Sequence, residues 1–258
     1  MLLVIDVGNT NTVLGLFENN RLVCDWRIRT DKNATEDELG VLIASLFADA
    51  DISFSAITRT VIASVVPAVD RIYEAFCHKH LSGAPRWIEA SIGSGSIAGI
   101  TIDYPNPSEI GADRIVNAVG AYHQYKCGLI IVDFGTAITL DLISESGAYT
   151  GGIIAPGLGI SADALFQKAA KLPRVDLRTP PDHLIGRDTV GSIKSGLIYG
   201  FAGLVDGLVH RINSEQKTPL KTIATGGLAP LIARVSETIE AVEPNLTLEG
   251  LRIIADQL

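Results

Sequence analysis

The sequence predicts an α/β protein of two similar halves, each a mixed five-stranded sheet flanked by helices, with its first three strands antiparallel. Two observations predict it. Leu2-Leu3-Val4-Ile5-Asp6-Val7-Gly8-Asn9-Thr10-Asn11-Thr12-Val13-Leu14-Gly15-Leu16 reads as strand, tight turn and strand. Gly128-Leu-Ile-Ile-Val-Asp133-Phe-Gly135-Thr136-Ala-Ile-Thr139-Leu-Asp141 repeats it: Asp6 and Asp133, Gly8 and Gly135, and Thr12 and Thr139 all stand 127 positions apart. A later pair, Val61-Ile62-Ala63-Ser64 and Thr222-Ile223-Ala224-Thr225, stands 161 apart, so the second copy is longer by about 34 residues, placed at 172–188 and part of the helix after it. Two domains follow, 1–122 and 123–258, with the C-terminal helix expected to pack back on the first.

The elements follow in order. Strands are expected at 2–6, 12–18 and 21–29, the last two joined by Glu18-Asn19-Asn20. Thr35-x-x-Glu38 has capping-box spacing, and Leu39, Leu42, Ile43, Leu46 and Phe47 then fall on one helix face. Residues 57–66 read as a buried strand, Pro67 opens a helix, and Arg86-Trp87-Ile88 is a short strand. Residues 91–108 are rich in Gly, Ser, Asn and Pro and read as irregular. A helix is expected from about Glu109 or Gly111 to Tyr125. After the repeated strands come helices at 157–170 and 189–213, separated by a Pro-bearing loop at 172–188. A strand at 220–225, a helix to about Val235 and an amphipathic helix from 245 complete the chain.

Bulk properties bound the function. The 258 residues suffice for a substantial core, and the mean hydropathy of +0.30 excludes a disordered chain. No apolar run is long enough to span a bilayer, and no signal peptide is recognisable. A net charge of −8 without basic blocks argues against nucleic acid or a membrane as partner. Cys24, Cys77 and Cys127, widely spaced and without CxxC, fit reduced thiols in a cytoplasm. His78, His80, His123, His183 and His210 share no metal spacing. There is no G-x-x-x-x-G-K-[ST], and Gly157-x-Gly159-x-x-Ala162 lies far from the N-terminal strand, so neither a P-loop nor a dinucleotide fold is supported.

The turns carry the chemistry. Gly8 lets a ligand approach the backbone, Asn9, Thr10, Asn11 and Thr12 offer donors, and Asp6 at a strand end can orient a hydrated cation. Read alone, the turn is equally an ordinary hairpin; its copy at Asp133 makes it one of two phosphate clamps. Thr225-Gly226-Gly227, between strand and helix, suits close approach of an adenosine. In Gly111-Ala112-Asp113-Arg114, Asp113 can accept the proton of an alcohol and Arg114 can hold a carboxylate or phosphate; the pair is also compatible with a plain helix start.

Asp6-x-Gly8-Asn9-Thr10-Asn11-Thr12, Asp133-Phe134-Gly135-Thr136-Ala137 and Thr225-Gly226-Gly227 resemble the two phosphate motifs and the adenosine motif of the acetate and sugar kinase/Hsp70/actin superfamily. Pro105-Asn106-Pro107-x-x-x-Gly111-Ala112-Asp113-Arg114, Gly151-Gly152-Ile153-Ile154-x-Pro156-Gly157 and Thr189-Val190-x-x-Ile193-x-Ser195-Gly196 resemble the type III pantothenate kinase family. The resemblance implies two duplicated ribonuclease-H-like domains, the actin-like ATPase fold, and ATP-dependent phosphorylation of pantothenate to 4'-phosphopantothenate, the first step of coenzyme A synthesis. It implies that Asp6, Val7, Gly8, Asn9, Thr10, Asn11, Thr12, Val13, Thr136, Gly226 and Gly227 hold ATP. It makes Asp113 the base, with Tyr104, Gly111, Ala112, Asp113, Arg114 and Thr189 at the pantothenate site. Asp133 would bind K⁺ or NH₄⁺, and Asp6 would touch Mg²⁺ through water. Thr189 would reach the neighbouring subunit's site, which implies a cytoplasmic homodimer. Two other readings stand beside this one: a kinase for another small hydroxy acid or sugar, and a non-catalytic regulatory relative.

Overall fold

Leu2–Val7 forms β1 of the computed structural model, which describes residues 1–89 and 96–258. β2 (Asn11–Glu18) and β3 (Arg21–Arg29) continue the meander. Then come α1 (Glu36–Asp49), β4 (Arg59–Ser64), α2 (Pro67–His80) and β5 (Arg86–Ile88). The Thr35 capping box is present in full, with the Glu38 side chain returned to the Thr35 backbone. Residues 91–95, the start of the stretch expected to be irregular, lie outside the described residues. The rest of it is more ordered than expected: β6 (Ser96–Ile97) and β7 (Ile100–Ile102) pair antiparallel around Gly99, whose φ of 87° a side chain would strain. α3 (Ala112–Tyr125) follows.

The second series repeats the plan with β8 (Leu129–Phe134), β9 (Ala137–Ile143) and β10 (Ala148–Pro156). α4 (Leu158–Lys168), α5 (Thr189–Glu215), β11 (Lys221–Thr225), α6 (Ala229–Ile232), β12 (Ala241–Val242) and α7 (Leu246–Ala255) complete it. Two compact units result, Met1–His123 with Leu246–Leu258, and Gln124–Asn245.

In the first unit the strands run β3-β2-β1-β4-β5, antiparallel for the first three and parallel thereafter. Both faces of this sheet are covered, which is why β1 is an unbroken apolar run rather than an alternating one. Leu3, Ile5 and Val7 pack with Leu39, Ile43, Phe47, Tyr73 and Phe76 of α1 and α2. On the other face Gly15 leaves room for Leu248 of α7 and Val4, both 3.0 Å from where a Cβ would lie. α7 also crosses α3 closely: a Cβ on Gly250 would stand 2.1 Å from the Val116 carbonyl oxygen, and one on Gly120 2.7 Å from that of Leu246. These contacts tie the end of the chain to the first unit.

In the second unit the strands run in the same order, β10-β9-β8-β11-β12, with β8, β11 and β12 parallel. Ile130, Val132 and Phe134 pack with Leu197, Ile198, Ala202, Val205 and Val209 of α5. Two details differ from the sequence alignment of the halves. Val7 pairs with Thr12 across a four-residue turn, but Phe134 pairs with Ile138 across three residues, so the counterpart of Thr12 is Ile138 and not Thr139. Ala63 pairs with Asp6 as Thr225 pairs with Asp133, so Ala63 matches Thr225 rather than Ala224. A single-residue turn deletion is invisible to spacing, and strand pairing reveals it.

Candidate active site

The first unit gathers its polar residues at the carboxyl ends of β1 and β4. The β1–β2 turn is closed by the Gly8 N–H donating to the Asn11 carbonyl at 3.1 Å, and a Cβ on Gly8 would sit 2.9 Å from that oxygen. Asn9, Thr10 and Asn11 are exposed at its tip, while Asp6 and Gly8 are half-buried. Thr12, expected among the ligand contacts, is fully buried. Its hydroxyl lies 3.0 Å from that of Thr30 and accepts from the Tyr73 hydroxyl at 3.0 Å. The Thr30 hydroxyl in turn donates to the Gly8 carbonyl at 2.6 Å. The Val7 side chain is likewise buried in the core, and Val13 is half-buried on β2. The donors of this turn are therefore Asn9, Thr10, Asn11 and the local backbone, held by a buried Tyr73–Thr12–Thr30–Gly8 chain. Sequence spacing missed Tyr73 and Thr30, because neither is near the turn in the chain.

Gly111, Ala112 and Asp113 stand beside the same strand ends. The Val65 N–H donates to the Val7 carbonyl at 3.1 Å, and a Cβ on Gly111 would lie 3.5 Å from Val65. That Cβ would also lie 2.5 Å from Asp113 Oδ1, so the carboxylate fills the space left by the glycine. The same oxygen accepts the Arg114 N–H at 2.8 Å. Burial pushes the Asp113 carboxyl above the ordinary range, opposed by the Arg114 N–H and guanidinium. Such a carboxylate is more basic than a surface aspartate, which suits proton acceptance near neutral pH. Ala112 is buried, and Tyr104 and Arg114 are half-buried.

In the second unit the structure brings Asp133 and the Thr225-Gly226-Gly227 turn together. Gly226 has φ 91°, and a Cβ there would meet Asp133 Oδ1 at 2.5 Å and the Phe134 carbonyl oxygen at 2.7 Å. Gly157 covers the neighbouring turn: its N–H donates to the Thr136 carbonyl at 3.1 Å, and a Cβ would meet that oxygen at 2.2 Å. Thr136 and Gly227 are exposed, and space beside Gly227 is open. The helix expected to reach Val235 spans only Ala229–Ile232, too short for a substantial dipole, so the glycine backbone is what this turn offers. Thr189 is exposed on the first turn of α5, whose cap Asp188 accepts the Gly191 N–H at 2.7 Å.

The residues fit nucleotide and cation to different degrees. A cradle that one Cβ would fill, rimmed by amide and hydroxyl donors, suits a phosphate. A carboxylate and a main-chain carbonyl converging beside Gly226 form a hard-oxygen set suited to a monovalent cation. Among the described residues no three His, Cys, Asp or Glu side chains gather into a cage. Cys77 is buried, its thiol pushed up to about 12 by burial and Glu74, and is no nucleophile. Among the described residues no helix is long and apolar enough to cross a membrane.

Two units with one strand order, each ending its central strand in an Asp-x-Gly turn, define a duplicated ribonuclease-H-like architecture, the actin-like ATPase fold. Component A of (R)-2-hydroxyglutaryl-CoA dehydratase from Acidaminococcus fermentans shares it at TM-score 0.57 and 16% identity, over 98% of this chain and 95% of that one. Ethanolamine utilization protein EutJ from Carboxydothermus hydrogenoformans does so at TM-score 0.58 and 12% identity, over 98% and 89%. Within this class the chain belongs to the type III pantothenate kinase family, whose model matches residues 2–211. A type III pantothenate kinase from Desulfosudis oleivorans is 65% identical over 98% of both chains. One from Desulfatibacillum aliphaticivorans is 57% identical over 100% of this chain and 99% of its own.

Gly111→Ala tests the fit between glycine and carboxylate. The new methyl group displaces Asp113 without entering the core, so pantothenate phosphorylation should fall by on the order of 10- to 100-fold. The melting temperature should stay within a few degrees of the parent; a loss of stability as large as the loss of rate would refute this role.

Proposed function

We propose that the chain phosphorylates the terminal hydroxyl of pantothenate from ATP, the step that opens coenzyme A synthesis, with Asp113 as the base. The observation that carries this reading is the half-buried Asp113 carboxylate, raised in pKa by desolvation and seated against Gly111 beside the ends of β1 and β4. Asp113 orients the hydroxyl and takes its proton, while Arg114 and Tyr104 hold the acid substrate. In the first unit the backbone and hydroxyl donors of Gly8–Asn11 suit nucleotide phosphate, and in the second unit Thr136 and Gly226–Gly227 suit the same class of ligand. Mg²⁺ on the triphosphate supplies charge neutralisation during transfer. Asp133 with the Phe134 carbonyl holds K⁺ or NH₄⁺. The setting is cytoplasmic, in keeping with three unbridged cysteines.

Asp113→Asn should lower kcat by about 10²–10⁴-fold with ATP affinity little changed. The base must be ionised, so the parent rate should fall as pH drops through the raised Asp113 pKa, on a limb above the ordinary value of about 3.9. The variant should lack that limb. Near-parental turnover in the variant would remove Asp113 from the chemistry. Exchange of K⁺ for Na⁺ at constant ionic strength should slow the parent at least several-fold, whereas equal rates would leave Asp133 without a cation role.

The working unit is a homodimer in which Thr189 completes the partner's pantothenate site. Support comes from the surroundings of Thr189: Leu184, Ile185 and Val190 are 62%, 81% and 42% exposed, an apolar group that a lone soluble unit rarely displays. Gly196, Gly200 and Gly203 of α5 have open space beside them, which permits close approach of another backbone. Sedimentation should give twice the chain mass at micromolar concentration, and a monomer that turns over normally would refute the shared site.

A further inference from the structure

At the amino end of β4, opposite the end that carries Ser64 and Val65, lies a cavity of about 240 Å³. Six residues of strand, about 20 Å, separate the two ends. The cavity is walled by Arg59, Arg86, Thr58, Ser82, Ala255 and Leu258. Its two arginines are placed by strand register. Val61 pairs with Arg86 across parallel β4 and β5, and Arg59 lies two residues before Val61, hence on the same face. Their Cα atoms are therefore about 8 Å apart, from the strand rise and spacing.

Two guanidinium groups line this cavity, and no acidic side chain does. Arg59 donates to the Ala255 carbonyl at 2.8 Å and to Asp256 Oδ1 at 3.3 Å. Asp256 is already shared, since its Oδ2 accepts from Arg252 at 3.1 Å, and Arg252 also pairs with Glu249. Arg59 therefore has only a shared counter-charge. Arg86 is exposed and forms no ion pair among the described residues. Thr58 and Ser82 add hydroxyls, while Ile57, Val61, Ala255 and Leu258 make the remaining wall apolar. The volume is below that of an ordinary drug-sized pocket, which limits the occupant to a small molecule.

We propose that this cavity is a second ligand site, separate from the catalytic residues, for a small phosphate or carboxylate anion with a short apolar stem. Arg86 is its principal contact, because a guanidinium that has no ion pair among the described residues gains most from a forked pair with such a group. Arg59, fixed by Ala255 and Asp256, is pre-oriented as the second. The apolar stem lies against Ala255 and Leu258.

Titration calorimetry on the full chain, first saturated with a non-hydrolysable ATP analogue and pantothenate, tests this with the catalytic site filled. The probes are n-butyl phosphate and butyrate. The parent should bind one equivalent per chain of at least one of them, and the stronger of the two identifies the anionic group. Arg86→Gln should weaken that binding by about tenfold or more, and Arg86→Lys should fall between, retaining the charge without the fork. Arg86 is exposed, so both variants should melt with the parent. No heat from either probe in the parent, or equal affinity in Arg86→Gln, overturns the site.

Discussion

Two carboxylates in this molecule occupy the volume that a glycine lacks. Asp113 Oδ1 lies 2.5 Å from the position of a Cβ on Gly111, and Asp133 Oδ1 lies 2.5 Å from that of a Cβ on Gly226. Each acid is thereby set by backbone rather than by a flexible neighbour, which limits the rotamers it can take. At Asp133 the parallel pair β8–β11 makes this possible, because it brings Gly226 alongside the end of the strand with the Asp-x-Gly turn, whereas at Asp113 the glycine lies two residues earlier, at the entry to α3. At Asp113, which is half-buried, desolvation is the first cause of the raised pKa. Position and basicity thus arise from one packing constraint.

The two units keep one topology and diverge in what fills it. Val4 pairs with Gly15 as Ile131 pairs with Asp141, so Gly15 and Asp141 are counterparts. Gly15 admits Leu248 of α7. Asp141 is fully buried and accepts the Tyr149 hydroxyl at 2.7 Å and that of Thr139 at 3.0 Å. A buried carboxylate needs such donors, and a leucine in their place would leave it unsatisfied. One position therefore decides which sheet can receive an apolar C-terminal helix. The hydroxyl chain of the first unit, Tyr73–Thr12–Thr30, has no copy at Ile138 for the same reason: the residue types differ though the strand positions agree.

Much of this was legible in the residues. The apolar run before Asp6, its repeat before Asp133 and the Thr35 box each rest on a local rule, and β1, β8 and α1 form where those rules place them. What spacing did not carry was pairing. The missing turn residue in the second copy shifts Thr139 by one position, and only the register of β8 on β9 exposes it. Thr12 looked like a ligand donor because its hydroxyl follows a glycine turn, but donor type says nothing of direction. Alternation along β2 turns Thr12 inward to Tyr73, a residue 61 positions away. The hairpin at Ser96–Ile102 was hidden by composition, since Gly99 reads as a breaker whether it ends a strand or turns one.

A chain of net charge −8 that handles a triphosphate and an acid faces an electrostatic problem. On the proposed reading Asp6, Asp113 and Asp133 all stand at the turns that receive these anions. At about 4 Å, two like charges repel by about 4 kcal/mol at an effective dielectric of 20. Main-chain N–H groups and hydroxyls can orient phosphate oxygens but carry only partial charge, and Arg114 is the one guanidinium among the assigned residues. Cations must supply the remainder, and the acids then have distinct tasks. On the proposed reading Asp6 and Asp133, at the ends of β1 and β8, attract cations. On that reading Asp113, seated against Gly111 and opposed by a single guanidinium, keeps a raised pKa that suits a base. A lysine-rich phosphate site would hold the nucleotide as well, but its field would pull the Asp113 pKa back down and weaken the group that must take the proton.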